Sequence, residues 1–301
     1  MTASWSPTTR ETDALQRHAH VQRLPRVDAV WPWLADRHGL IAAVDAPHAA
    51  HPERFNFGEL AERISTAAAA FRRHGVEEGD VVALFAENSP RWLVADQGLM
   101  RAGAADAVRG ASAPVEELRY ILSDCRATAL VVQNADVWRR LALPPEQRAQ
   151  LRFVLQLEGE PAEGAMGWEA FLASGAGLDP VGPAGGRDGV ATVLYTSGTT
   201  GRPKGAMITQ GMAFWNAINC TEFFLCGPNM VNLVILPLFH TGGLNCFANP
   251  AFHFGGKNIV MRTFDPTEGL RLMNDEQVGV THLLAVPANF LFMSQVPDFE
   301  H

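Results

Sequence analysis

Apolar, β-branched runs alternate with amphipathic helical stretches through most of this chain, and the alternation leaves few folds open to it. "DVVALF" runs into a loop, Ser89 is set to cap the next helix with Pro90 in its first turn, and "PRWLVADQGLMRAGA" carries that helix. "ADAVR", "VEELRYILSD" and "TALVVQ" then read as strand, helix and strand. Runs this apolar are buried on both faces, and strands separated by single helices run parallel. The expected fold class is α/β, built of layered βαβ subdomains with mainly parallel sheets.

Upstream, "FNFGELAERISTAAAAFRRHG" gives a short strand and an alanine-rich helix that ends at Gly75. Residues 1–50, rich in Arg, His and Pro, read as an N-terminal arm with one short helix around Val30 to Asp36. Periodicity weakens after Asn134, and "PVGPAGGRDG" has the composition of a linker. A first α/β subdomain is therefore expected over 51–185 and a second over 186–301. In the second, "ATVLYT", "VNLVILPLF" and "THLLAVP" read as strands and "GLRLMNDEQV" as a helix.

Composition narrows the function. With 301 residues, 47% hydrophobic and 19% charged, the chain has the makeup of a globular protein. A formal net charge of -8 argues against a nucleic-acid binder. Cys125, Cys220, Cys226 and Cys246 lack CxxC spacing and sit among apolar neighbours, as free thiols of a reducing compartment do. The first twenty residues hold no apolar signal core, and no run approaches the ~20 apolar residues of a membrane span. A cytoplasmic protein without a transmembrane segment is expected, with peripheral membrane contact and homo-oligomer formation left open.

"YTSGTTGRPKG", Tyr195 to Gly205, follows the strand "VATVLYT" and contains one of only two lysines, Lys204 and Lys257. Thr196, Ser197, Thr199 and Thr200 supply hydroxyls, while Gly198, Gly201 and Gly205 free the backbone to aim N–H groups at one point, as a polyphosphate requires. The Walker grammar fails because Lys204 is preceded by Pro203 and followed by Gly205. The nucleophile-elbow grammar fails because Ser197 lacks its leading glycine. A plain Gly/Ser/Thr turn is the remaining alternative.

The run closely resembles the phosphate-binding signature of adenylate-forming enzymes, the superfamily of acyl-CoA synthetases, aryl-CoA ligases, luciferases and peptide-synthetase adenylation domains. "PLFHTGG", Pro237 to Gly243, resembles a second signature of the acyl-CoA synthetase branch, and "FNFGEL" through "VEELRYILSD" follow the order of its first subdomain. The resemblance implies the incomplete large N-terminal domain of such an enzyme. It implies ATP and Mg2+, a carboxylic, preferably fatty, acid, and a thiol acceptor on CoA or acyl carrier protein. Carried over by position, Thr196 would help hold the metal. Ser197, Gly198, Thr199, Thr200 and Gly201 would face phosphate oxygens, with Lys204 supporting the leaving pyrophosphate. His240 would orient the carboxylate.

The chain departs from the pattern where it stops at "VPDFEH", before the acidic motif, the ribose-binding aspartate, the hinge and the C-terminal lid domain with its catalytic lysine. Leu244 follows "HTGG" where some long-chain relatives have a tryptophan, and Gln210 stands where a histidine is frequent. Arginines crowd the part before Pro203 and asparagines the part after Lys204, as expected of two unlike subdomains or of two joined pieces. The expectation is an AMP-forming acid–thiol ligase by family, with this chain alone inactive for the full reaction. The alternative is a noncatalytic fragment or interaction module that keeps the fold without the lid.

Overall fold

The computed structural model describes residues 30–39, 41–47, 52–179, 181, 186–196, 201–297 and 299. Its first elements are a helix, Trp31–His38, two short strands, β1 (Ala42–Asp45) and β2 (Arg54–Asn56), and the long helix Phe57–Arg73. Asn56 starts that helix with a capping box: its side chain accepts from Glu59 N at 2.8 Å, and Glu59 accepts from Asn56 N at 2.8 Å.

Seven strands follow as one sheet: β3 (Val81–Phe85), β4 (Ala105–Arg109), β5 (Ala129–Val132), β6 (Val154–Gln156), β7 (Met166–Gly167), β8 (Val190–Thr196) and β9 (Lys204–Thr209). Their order is β7-β6-β5-β3-β4-β8-β9, parallel throughout except for the antiparallel β8–β9 hairpin. Ser89 caps the helix Pro90–Arg101 as expected, accepting from Trp92 N at 3.0 Å. A second sheet combines β10 (Val231–Val234), β11 (Lys257–Val260) and β12 (His282–Leu283) with the two earliest strands, in the order β12-β10-β11-β1-β2. The fold is α/β with mainly parallel sheets, as the alternation of runs predicts.

Sheet membership cuts across the division expected at residue 185. β8 and β9 complete the first sheet, and β1 and β2 belong to the second. The physical reason is that a Gly/Pro-rich stretch marks a loop and says nothing about which sheet the next strand joins. The arm expected over 1–50 lies outside the described residues up to 29; of its described part, Val30, Trp31, Leu34, Ala43, Val44 and Ala46 are buried in the core. Trp31 packs at a tilt against Phe252 with centroids 5.1 Å apart, and Phe57 lies 6.4 Å from Trp31 and 6.5 Å from Phe252. That trio joins residues from both sheets in one hydrophobic core.

Polar groups are buried in the same layer. The carboxyls of Asp96, on the helix after Ser89, and Asp106, on β4, are fully buried against each other, beside Thr192 of β8. Gln97 donates to Asp96 at 2.8 Å and accepts from the Trp31 indole at 2.8 Å. Burial pushes Asp106 up to about 6; burial and the neighbouring carboxylate push Asp96 well above the usual carboxylate range. Burial thus biases both carboxyls towards the protonated form.

Because both folded values are raised, the stability the pair contributes is full below the ordinary aspartate value of about 4. It is lost as pH rises through about 6 and beyond. Asp96→Asn, whose amide can donate to Asp106 without a titrating proton, is expected to flatten this dependence. Thermal unfolding should give a midpoint near wild type at pH 5 and several degrees higher at pH 8.

Candidate functional site

The strand before "SGTTG" is paired with β4 as far as Leu194 and with β9 to its end at Thr196. At that end Thr196 of β8 and Lys204 of β9 are direct partners in the ladder, and both are exposed. Partners across an antiparallel ladder point to one face with Cβ atoms about 5 Å apart, so the hydroxyl and the ammonium share that face. Tyr195 and Gly205 form the next pair and face the other way. A Cβ at Gly205 would come within 2.7 Å of Val193 and 3.2 Å of the Tyr195 ring, which is why only glycine fits there. Ser197, Gly198, Thr199 and Thr200 lie outside the described residues. Gly201 is exposed, with φ of +119°, and leads through Arg202 and Pro203 to Lys204.

His240 sits beyond the carboxyl end of β10 and caps the short turn Thr241–Gly243, its Nδ1 accepting from Gly242 N at 3.4 Å. The ring is exposed. The "HTGG" glycines owe their place partly to packing, because a Cβ on Gly243 would stand 2.2 Å from the Pro237 carbonyl oxygen. The chain then runs into a π-helical turn, Leu244–Ala248, and the Asn245 carbonyl accepts from Asn216 at 2.7 Å. π-turns inside helices are frequent at functional sites.

What brings the two motifs to the same end of the molecule is a residue the sequence did not single out. Asn88, in the loop after β3, is buried and makes three hydrogen bonds to distant backbone: Nδ2 donates to Leu236 O at 3.0 Å and Met261 O at 3.1 Å, and Oδ1 accepts from Leu238 N at 2.7 Å. It thus ties the "PLFH" loop and the end of β11 to the first sheet. Phe239 consequently lies against Gly110, just past β4, whose other neighbour is the β8 that carries Thr196. The only sequence signal was a polar residue between a buried strand and a helix cap, which reads as an ordinary turn. The second lysine, Lys257, opens β11 at the opposite, amino end, paired in register with Val231. Burial lowers its pKa, and it has no part in this site.

The AMP-binding enzyme family matches residues 32–301 of the chain. The chain belongs to that family. It is 33% identical over 247 residues to the long-chain-fatty-acid/acyl-carrier-protein ligase AEE15, chloroplastic, of Arabidopsis thaliana, covering 76% of this chain and 34% of that protein. It is 31% identical over 250 residues to the indoleacetate–CoA ligase of Aromatoleum aromaticum, covering 83% of this chain and 48% of that one. The chain thus spans about a third to a half of the length of these curated relatives.

Among solved structures, the N-terminal domain of FACL13 from Mycobacterium tuberculosis shares the fold, with a TM-score of 0.78 at 23% identity over 92% of this chain and 66% of that one. ATP-bound MatB from Rhodopseudomonas palustris matches with a TM-score of 0.73 at 25% identity over 90% of this chain and 52% of that one. No helix among the described residues is long and apolar enough to cross a membrane.

Asn88→Ala would remove the partners of the Leu236 and Met261 carbonyls and of the Leu238 N–H, the last two of them buried. The expected loss is about 2–4 kcal/mol of unfolding free energy. Denaturant unfolding measures it, and a loss below about 0.5 kcal/mol would mean that the loop is held by packing alone.

Proposed function

We propose that this chain activates a carboxylic acid with ATP, forming an acyl-adenylate and releasing pyrophosphate. In the complete ligase a thiol, on CoA or acyl carrier protein, then takes the acyl group. The observation that carries the reading is the Thr196–Lys204 pair, a hydroxyl and a cation on one face of the antiparallel hairpin at the edge of a mainly parallel sheet. Ligands of open α/β sheets bind outside the carboxyl ends of the strands.

In the reaction, a carboxylate oxygen attacks the α-phosphorus, an acyl–oxygen–phosphorus bond forms, and the bond to the bridging oxygen breaks as pyrophosphate leaves. Negative charge grows on phosphate oxygens, and preorganised donors stabilise it. Lys204 and the hydroxyls and N–H groups of Thr196, Ser197, Gly198, Thr199, Thr200 and Gly201 take that role. Mg2+ suits a site with one hydroxyl ligand, because it retains waters and binds through substrate phosphates. Thr196 would hold it, and it would supply charge neutralisation. His240, exposed and beside the sheet-to-sheet junction, orients the carboxylate. A fatty acid is the preferred substrate class. The four free thiols, among which burial raises Cys226 to about 11 and Cys125 to about 12, suit a reducing, cytoplasmic setting.

Equilibrium binding of MgATP and ATP–pyrophosphate exchange with a panel of acids test the proposal. Thr196→Ala and Lys204→Ala are expected to reduce exchange about 10²-fold for every acid. His240→Ala is expected to alter the ranking of acids while leaving ATP affinity near wild type. Unchanged MgATP binding in both loop variants would remove the phosphate-loop assignment. Partner binding without nucleotide would favour the noncatalytic module.

A further inference from the structure

The chain has only two tyrosines, Tyr120 and Tyr195, and both bond to one carboxylate. Tyr195 donates from its hydroxyl to Asp124 Oδ2 at 2.7 Å, and Tyr120 donates to Asp124 Oδ1 at 3.1 Å. Arg202 rests its guanidinium 5.3 Å from the Tyr120 ring centroid. Tyr195 immediately precedes the candidate phosphate loop and Arg202 lies at its far side. Both stems of the loop therefore contact the C-terminal half of one helix, Val115–Asp124.

Asp124 is a poor choice on local grounds. It ends its helix, where the macrodipole disfavours an anion, and no basic residue occupies that last turn. Its two oxygens instead accept from two phenols, a job that an amide or a hydroxyl could do for only one of them with equal strength. Burial and this carboxylate push the Tyr195 hydroxyl well above the ordinary phenol range, so the donor keeps its proton.

We propose that Asp124, acting through Tyr195, is a positioning residue for the phosphate loop, and that Tyr120 and Arg202 complete the clasp on the loop's other stem. Side chains alternate along β8, so fixing the Tyr195 ring against the helix layer aims Thr196 to the opposite face. Gly205 lets that ring lie flat across the hairpin. The clasp sets the spacing and facing of Thr196 and Lys204 before any ligand arrives, and preorganisation of this kind appears as affinity. The inference rests on the phosphate-loop reading given above.

Labelling with 3-fluorotyrosine gives two fluorine resonances, both from the clasp, and Tyr195→Phe assigns them. Asp124→Ala is expected to shift both. Calorimetric titration of the 301-residue chain with MgATP, well below the unfolding midpoint, is expected to show about tenfold weaker binding for Asp124→Ala and for Tyr195→Phe. The double variant should lose no more than either single one. Asp124→Asn, which retains an acceptor for Tyr195, should recover most of the affinity.

Resonances indifferent to Asp124→Ala would overturn the clasp. A lower unfolding midpoint with wild-type affinity in both variants would reduce it to a structural contact and overturn the proposal. If wild type binds MgATP and Lys204→Ala abolishes it while Tyr195→Phe does not weaken it, the phosphate-loop reading stands and this inference falls. Absence of MgATP binding in wild type would sink both.

Discussion

Among the contacts that join the two sheets, a single carboxamide reaches three backbone groups at once. Asn88 leaves the end of β3 and bonds to the backbone on both sides of the Leu236–Leu238 turn and to Met261 after β11. These contacts bridge about 150 residues of chain, and each partner would otherwise be a buried backbone group without a bond. Arg262, next along from Met261, adds an ion pair to Glu158 at 2.5 Å on the same side. His240 follows a strand of one sheet and the β8–β9 hairpin belongs to the other, and this stitching fastens the loop between β10 and His240 to the sheet that carries the hairpin.

Behind the stitch, the layer between the sheets is partly polar. Gln97 reaches Asn249 at 3.4 Å, Asn249 reaches Asn245 at 3.2 Å, and Asn258 donates to the Ala248 carbonyl at 3.0 Å. Apolar surfaces tolerate sliding, whereas a chain of side-chain amides is satisfied in one arrangement. The π-turn after "HTGG" thereby rests against the helix Pro90–Arg101 in a fixed register.

Local structure was legible because it is dictated locally. Ser89 and Pro90 marked a helix start, Gly75 with φ of +87° marked a helix end, and "ADAVR" and "TALVVQ" could be only buried strands. Sheet membership was not legible. "VATVLYT" and "VNLVILPLF" are equally apolar, yet one pairs with β4 and the other with β11. β1 is only Ala-Ala-Val-Asp, and of "THLLAVP" only His282 and Leu283 pair. The loop residues could be named from donor density and resemblance, but Asn88, Asp124 and Tyr195 gain their roles only from neighbours far along the chain.

The crossing of early strands into the later sheet also orders events during synthesis. β1 pairs on one side with β2, a few residues away, and on the other with β11, which begins at Lys257. At ribosomal speeds of about 5–20 residues per second, β1 waits roughly 10 to 40 s for that partner. Meanwhile β3 to β7 and their helices can assemble, since their pairings are close in sequence. Until β11 emerges, Ala43 and Val44 therefore lie on a strand edge that is paired only on the β2 side.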